Sequence, residues 1–582
     1  MIRRRDFDQV LAVVRRSGVA EDLEKILSPE GRGRPRGLSV EFFLTGAILT
    51  AVQEKTLTFV NIYETLTGDL ARSLQVAIGV RVKSGSGRSQ PISIRQVRYL
   101  FSAIENRLTA REEATPGFSE EMRDLRRQSL EGIIDRLIAA TIPSGYERTI
   151  SVAVDGTGVE SFAKSKWRRV LQPKDETAAA TERGADEIRA ASDLRGEDPE
   201  GSNDETVTLG RERYSADRDA RAGYRTKTYE KKSTFFFGYD LTAAVAVPRV
   251  GGSDIGPKLL VGMRVAPAAQ SVTAPALALL EHLLANDYDI DEVIADRAYG
   301  YRVPEHWALP LLELGLRQVQ DIHPNDHGPR YHDGVVIIDG APHCPSTPER
   351  LWNIPRPARL SVGVLSKTAT ESERLVHERE KRAIKRFNEL IAERETYAFV
   401  RHQNAREGAK DPAKARFICP ARAGKLRCAN CPLSQDYPAS TPAVENPPTV
   451  DPPRSCRQET VMVPGAALIK LAQKEYWGSI PWQARYGRRS HVEAMFGNLR
   501  NPATQNISRL FCRVVGLVKT SLMLSFEAVA ANLRLVQQWA WFFRGDSEPP
   551  ASDPAEDHGF EEIDADGQVR LVDPDAYRSP PG

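Results

Sequence analysis

The chain lacks any uninterrupted apolar run long enough to cross a bilayer. Its most apolar long stretch, Gly516 to Trp541, is broken by Lys519, Glu527, Asn532 and Arg534, so it reads as a buried helix and no membrane partner is expected. A secretory leader is not expected either, because Arg3, Arg4 and Arg5 are followed by no continuous apolar segment. A cytoplasmic location is expected by default. Cysteine is scarce, with 6 among 582 residues, and in such a compartment a disulfide framework is excluded as the organising device. Charge of one sign is lacking too, since Lys+Arg 80 against Asp+Glu 78 leaves only +2. That balance hides an asymmetry: residues 545–582 hold eleven Asp/Glu against two Arg, a net of −9, which leaves +11 on the remainder. The body is thus moderately basic, as a partner of phosphate backbones should be, although proteins without polyanion ligands carry similar excesses.

What is present is enough for two to four folded units, with 41% apolar residues to build cores and 27% charged residues to keep them soluble. Residues 1–145 read as a helical domain. Ser39 is placed to cap a helix before Phe42, Phe43 and Leu44, and a second apolar stretch lies around Phe59 to Leu66. In Ser93 to Leu108, Arg95 and Arg98 lie one turn apart beside Val97, Leu100 and Ile104. That domain is either a small DNA-binding unit or a structural one with solvated arginines. The string Arg32-Gly33-Arg34-Pro35 resembles an AT-hook, and equally a basic linker.

From Thr149 the period changes to that of strands, with Ile150, Val152 and Val154 alternating with Ser151, Ala153 and Asp155. Residues 174–217 are rich in Asp, Glu, Arg, Ala and Gly and read as a disordered loop. Beyond it, Phe235 to Val247 and Leu259 to Val265 read as strands, Val272 to Leu284 as a helix, and Glu292 to Ala295 as a short buried strand. The fold class is therefore α/β, with 146–300 as the first part of a sheet core. Residues 301–475 read as an insertion, with a strand at Val335 to Ile338 and a charged helix from Glu371 to Glu395 that turns Ile384, Phe387 and Ile391 to one side. Residues 476–544 return to the core, and 545–582 form an acidic tail expected to be disordered.

The segment Tyr486 to Arg500 carries the chemistry. On one continuous helix Tyr486, Arg489, Glu493 and Arg500 stand at roughly 0°, 300°, 340° and 320°, a single narrow face. Guanidinium forks suit phosphate oxygens, and a carboxylate between them can hold a divalent cation. Taken alone, Arg489 and Glu493 are equally an ordinary salt bridge one turn apart. Asp155 and Asp296, each at the end of an apolar strand, are individually turn-formers or helix caps. Together with Glu493 they would make a site for two magnesium ions about 4 Å apart, the arrangement used for in-line attack at phosphodiesters.

Tyr486, Arg489, Glu493 and Arg500 resemble the Tyr-(2)-Arg-(3)-Glu-(6)-Lys signature of insertion-sequence DDE transposases, with Arg in place of the final Lys. Asp155 in Val-Asp-Gly-Thr and Asp296 in Ala-Asp-Arg-Ala-Tyr-Gly resemble the first and second aspartate motifs of that superfamily, in the same order. The resemblance covers about 148–300 and 480–540. It implies a ribonuclease H-like core with mixed sheet and flanking helices. It also implies Mg2+ or Mn2+ held by Asp155, Asp296 and Glu493, DNA phosphates gripped by Tyr486, Arg489 and Arg500, double-stranded DNA at element ends and target as substrate, and a homodimer that pairs two ends. A nuclease that no longer transposes, or an inactive DNA-binding descendant, would carry the same motifs.

Four of the cysteines cluster as Cys419, Cys428, Cys431 and Cys456, spacing that suits a structural Zn2+ site within 419–456. Similar cysteine-bearing insertions occur in some transposases of this broad group. Cys344, preceded by His343, is a substitute ligand, and Cys512 reads as a small buried residue.

Overall fold

The computed structural model describes residues 2–28, 38–71, 74–75, 81–83, 89–173, 207–225, 234–251, 256–404, 410–411, 413–447 and 450–543. Three expectations fall outside them in whole or in part: the Arg32-Gly33-Arg34-Pro35 string, residues 174–206 of the acidic loop, and the acidic tail.

The amino-terminal part is mainly helical, with α1 (Arg4–Ser17), α2 (Val19–Leu27), α3 (Val40–Val52), α4 (Ile94–Leu108) and α5 (Glu120–Ala139), and it also holds a short antiparallel strand pair, Arg81–Lys83 with Ser89–Pro91, that the helical reading of 1–145 did not include. Local chemistry sets their ends. The Ser39 hydroxyl accepts from the Phe42 amide, Ser93 and Gln96 form a reciprocal capping box, and Gly18 closes α1 at a positive φ of 63°. On α4, Val97, Leu100 and Ile104 are buried while Arg95, Arg98 and Tyr99 face outward.

The central sheet is mixed. Its strands are β1 (Thr149–Glu160), β2 (Arg221–Arg225), β3 (Thr234–Val247), β4 (Leu260–Pro267), β5 (Asp289–Ala295) and β6 (Arg317–Gln320), in the order β6-β5-β1-β3-β2, with β4 also paired to β3. β3 runs antiparallel to β1, β2 and β4, whereas β5 is parallel to β1 and to β6. The connection from β4 to β5 is α6 (Thr273–Ala285), which covers one face through Leu279, Leu280 and Leu283 against Val152, Val154, Val293 and Ala295. The sheet thus bears out the α/β class. It also extends beyond residue 300, where an insertion was expected to begin, because β6 supplies a fifth strand to the main path.

On the other face Ala153, Ala243, Val245 and Ile294 join a continuous core with α1, α3, α4, α5 and α10 (Leu517–Phe543). The amino-terminal helices therefore do not stand apart from the sheet. Asn532, one of the polar residues that interrupts the apolar run, clips α10 to β4. Its Oδ1 accepts from the Leu260 amide at 3.0 Å, and its Nδ2 donates to the Leu260 carbonyl at 2.8 Å. Among the described residues no helix is long and apolar enough to cross a membrane.

One expectation is corrected. The acidic loop assigned to 174–217 is ordered from Val207, because Val207–Tyr214 pairs antiparallel with Lys166–Pro173. Its few apolar residues hide it, and the partner strand supplies the pairing that composition does not announce. The insertion contains α7 (Glu371–Thr396) and two small antiparallel sheets, one of Pro329–His332, Val335–Ile338 and Ala341–His343, the other of Val400–Asn404, Ala415–Ile418 and Val461–Val463. Phe387 and Ile391 are buried as the α7 pattern implies.

Candidate catalytic carboxylate site

Strand register brings the two aspartates together. Val154 of β1 pairs with Ala295 of β5, so Asp155 and Asp296 come next as neighbours on adjacent parallel strands, whose spacing is about 4.8 Å. The register is made by a bulge between Ile290 and Val293, which puts Glu292, Ile294 and Asp296 on the face shared with Ala153 and Asp155. Each carboxylate also accepts a local amide, Asp155 Oδ1 from Gly156 at 2.8 Å and Asp296 Oδ1 from Arg297 at 2.7 Å. Asp296 is thereby the cap at which β5 gives way to the short helix Arg297–Gly300.

Glu493 arrives on a helix laid along β1. The expected single helical face is not what forms: α8 (Ile480–Tyr486) passes through a 3-10 turn, Gly487–Arg489, into α9 (Ser490–Arg500). Glycine at the junction has low helix propensity, and the tighter turn changes the phase of α9 relative to α8. The motif side chains converge on β1 regardless. The Arg489 guanidinium lies 3.4 Å from Asp155 and 2.6 Å from Glu493, while Arg500 meets the Thr157 hydroxyl and donates to the Gly158 carbonyl at 3.0 Å. Arg488 to Arg500 spans about 18 Å as helix, and Ser151 to Thr157 about 20 Å as strand, so the two elements can run side by side with matched contacts. Tyr486 differs from expectation. It is 8% exposed, stacked on Trp482 at 4.9 Å and beneath Arg489 at 5.7 Å, so it supports the guanidinium instead of presenting its hydroxyl at the surface.

The electrostatics are those of crowded acids around one guanidinium. Burial, followed by the nearby Asp296 and Glu493 charges, pushes the Asp155 carboxyl up to about 6, against the lowering effects of the Gly156 amide and Arg489. Burial disfavours the Arg489 charge, but Tyr486, Asp296, Glu493 and Asp155 together hold its proton more tightly than usual. Tyr299, fully buried, is pushed well up by burial and then by Asp155, Asp296 and Asp240, and its hydroxyl has no hydrogen-bond partner among the described residues. Sequence reasoning missed Tyr299. The signal that could have found it was its place one turn after Asp296.

Among the described residues no three His, Cys, Asp or Glu side chains are drawn together tightly enough to hold an ion. The Arg489 guanidinium instead bridges Asp155 and Glu493, where a cation between them would stand. The donors, being carboxylate oxygens at the ends of adjacent strands, suit magnesium or manganese provided Arg489 yields that position.

The five cysteines named from the sequence share a cavity lining, although their thiols too are not drawn together tightly enough to hold an ion. Cys344, Cys419, Cys428, Cys431 and Cys456 all line one cavity with a free volume of about 30 Å³, and all are free thiols. His343 is committed elsewhere, with Nε2 2.7 Å from the Tyr476 hydroxyl and Nδ1 2.7 Å from the Ala341 carbonyl. Cys512 is buried apart from them, pairing by backbone with Leu57, as its reading as a small buried residue implies.

The chain matches no family model, no curated protein and no solved structure with which it was compared.

Proposed function

We propose that this chain is a DDE-type DNA transposase with a ribonuclease H-like core, in which Asp155, Asp296 and Glu493 hold two magnesium or manganese ions. The observation that carries the reading is the register of β1 and β5, which sets two strand-end aspartates side by side beneath the helix bearing Arg489 and Glu493. Four strands, β1 to β4, paired antiparallel and leading through α6 into β5 and β6, which run parallel to β1, are compatible with the ribonuclease H-like assignment. When bound, the ions supply Lewis-acid stabilisation of phosphoryl transfer. The protein's own groups orient the DNA. Arg489 exchanges its carboxylate partners for a phosphate, Arg500 grips a second phosphate near Thr157, and Tyr486 holds Arg489 at the right height. The substrate is double-stranded DNA, acted on in the bacterial cytoplasm, with two copies of the chain pairing two element ends.

The test uses a linear duplex carrying the inverted repeats expected to flank the gene. Asp296→Ala should lose divalent-dependent cleavage and keep its affinity for that duplex. Cleavage by the parent without transfer of a labelled end would favour a nuclease, and absence of cleavage in Mg2+ and Mn2+ would reduce the chain to a DNA-binding protein.

The five-thiol cavity is read as a structural zinc site formed by Cys419, Cys428, Cys431 and Cys456, with Cys344 as a reserve thiol. The purified chain should contain about one zinc by elemental analysis, and Cys428→Ser should lose it together with several degrees of melting temperature. Zinc-free protein with parental melting would end that assignment.

A further inference from the structure

We infer that Glu292, Arg485 and Arg488 are positioning residues, a buried clamp that sets the register of α9 along β1 and thereby where Glu493 stands relative to Asp155 and Asp296. This rests on the proposed reading of those three carboxylates as a metal site.

Glu292 is 0% exposed and lies four residues before Asp296 on the same face of β5. Its Oε2 accepts from Arg485 Nη1 at 2.7 Å and its Oε1 accepts from Arg488 Nη2. Arg488 Nη1 also donates to the Ser151 hydroxyl at 2.9 Å and to the Pro248 carbonyl at 2.7 Å. One guanidinium therefore ties β1, β5 and the end of β3 to the turn that launches α9. Arg485 Nε donates in addition to Glu475 at 3.1 Å, which balances the second positive charge.

As a source of stability this arrangement is inefficient, because apolar residues of similar volume often serve as well as a buried ion pair. Its distinctive property is direction, since a guanidinium fork accepts one geometry. Direction is what α9 needs. Glu493 lies 197 positions after Asp296 with the insertion between them, so no short connection dictates where the helix lies. Its buried side chains, Val492, Met495, Phe496 and Leu499, are apolar and tolerate sliding. A slip of one turn, about 5.4 Å, would carry Glu493 away from both aspartates. The other polar contacts of this segment, Arg489 to Asp155 beside the clamp and Arg500 to Thr157 at the far end of α9, are made by groups that DNA would recruit. The clamp has no such second duty.

The full chain is titrated with Mn2+, and binding is read from the electron paramagnetic resonance of the free ion, alongside hydrogen exchange of residues 490–500. Arg488→Lys and Glu292→Gln should remain folded, bind Mn2+ about tenfold or more weakly, as expected when groups behind metal ligands are altered, and exchange faster over 490–500. A folded variant with parental Mn2+ affinity overturns the proposal. Should either single variant unfold, the apolar pair Glu292→Leu with Arg488→Met decides: weakened Mn2+ binding in that folded double variant supports positioning, and parental binding overturns it. If the parent itself binds no Mn2+, the metal reading fails, and exchange alone judges the clamp: faster exchange confined to 490–500 sustains it, and unchanged exchange overturns it.

Discussion

Asp155→Asn should abolish DNA cleavage, by at least about three orders of magnitude or roughly 4 kcal/mol of barrier, while melting above the parent in the presence of a chelator. The loss reflects removal of a carboxylate that the reaction requires. The stabilisation reflects the crowding at the same atom. Asp155 holds its proton up to about pH 6, above its ordinary value of 3.8, chiefly because it is buried and then because Asp296 and Glu493 face it. A carboxyl whose folded pKa is raised contributes its best stability below the unfolded value. That contribution is lost as pH rises from about 4 through about 6 and stays lost above. A shift of this size corresponds to about 3 kcal/mol as an upper bound. Parent and variant should therefore melt alike near pH 4 and diverge to a constant gap above pH 6 when scanned without divalent ions. Equal melting at pH 7.5 would contradict the electrostatic account, and retained cleavage would remove Asp155 from the reaction.

Much of this site is legible in the sequence because its parts are local. An apolar alternation that stops at Asp155, a short buried run that stops at Asp296, and a basic segment around Glu493 each announce themselves within a dozen residues. What could not be read is what depends on distant partners. Glu292 opens the short run to Ala295 that reads as a buried strand, and nothing local says what pairs its carboxylate at 0% exposure. Its burial makes sense only with Arg485 and Arg488, nearly two hundred positions away, and with a bulge that alternation alone does not reveal. Tyr486, Arg489, Glu493 and Arg500 would share one face only on an unbroken helix, whereas the 3-10 turn at Gly487–Arg489 resets the phase after Tyr486, which is buried against Trp482. Their convergence on β1 comes from tertiary packing. The strand Val207–Tyr214 was hidden for a related reason, since its pairing partner defines it more than its composition does.

The second large effect is expected far from the carboxylates, at Arg394. This guanidinium is 0% exposed at the end of α7 and donates to Asp339 at 2.7 Å, in the turn after Val335–Ile338. Burial opposes ionisation of Asp339, but His327 and Arg394 hold its carboxyl below the usual range. Replacing Arg394 with Ala leaves that carboxylate buried with His327 alone, and removing one partner of a buried pair costs about 3–5 kcal/mol. Because Asp339 has a lowered folded pKa, the ionic share of this loss should be full above about pH 4 and shrink as pH falls below it. The damage should also reach the site. Arg394 lies over Tyr476 and Trp477, Trp477 packs on Trp482 at 5.7 Å, and Trp482 stacks on Tyr486, the residue beneath Arg489. The insertion is thus fastened through a run of aromatic rings to the end of α8 and, through Arg489, to the turn that leads into α9 and Glu493. Urea unfolding of Arg394→Ala should show the lost stability, and hydrogen exchange should rise in 476–500 as well as in α7. A cost below about 1 kcal/mol would show that the buried pair is dispensable. Exchange confined to α7 would show that the rings transmit nothing to the catalytic helix.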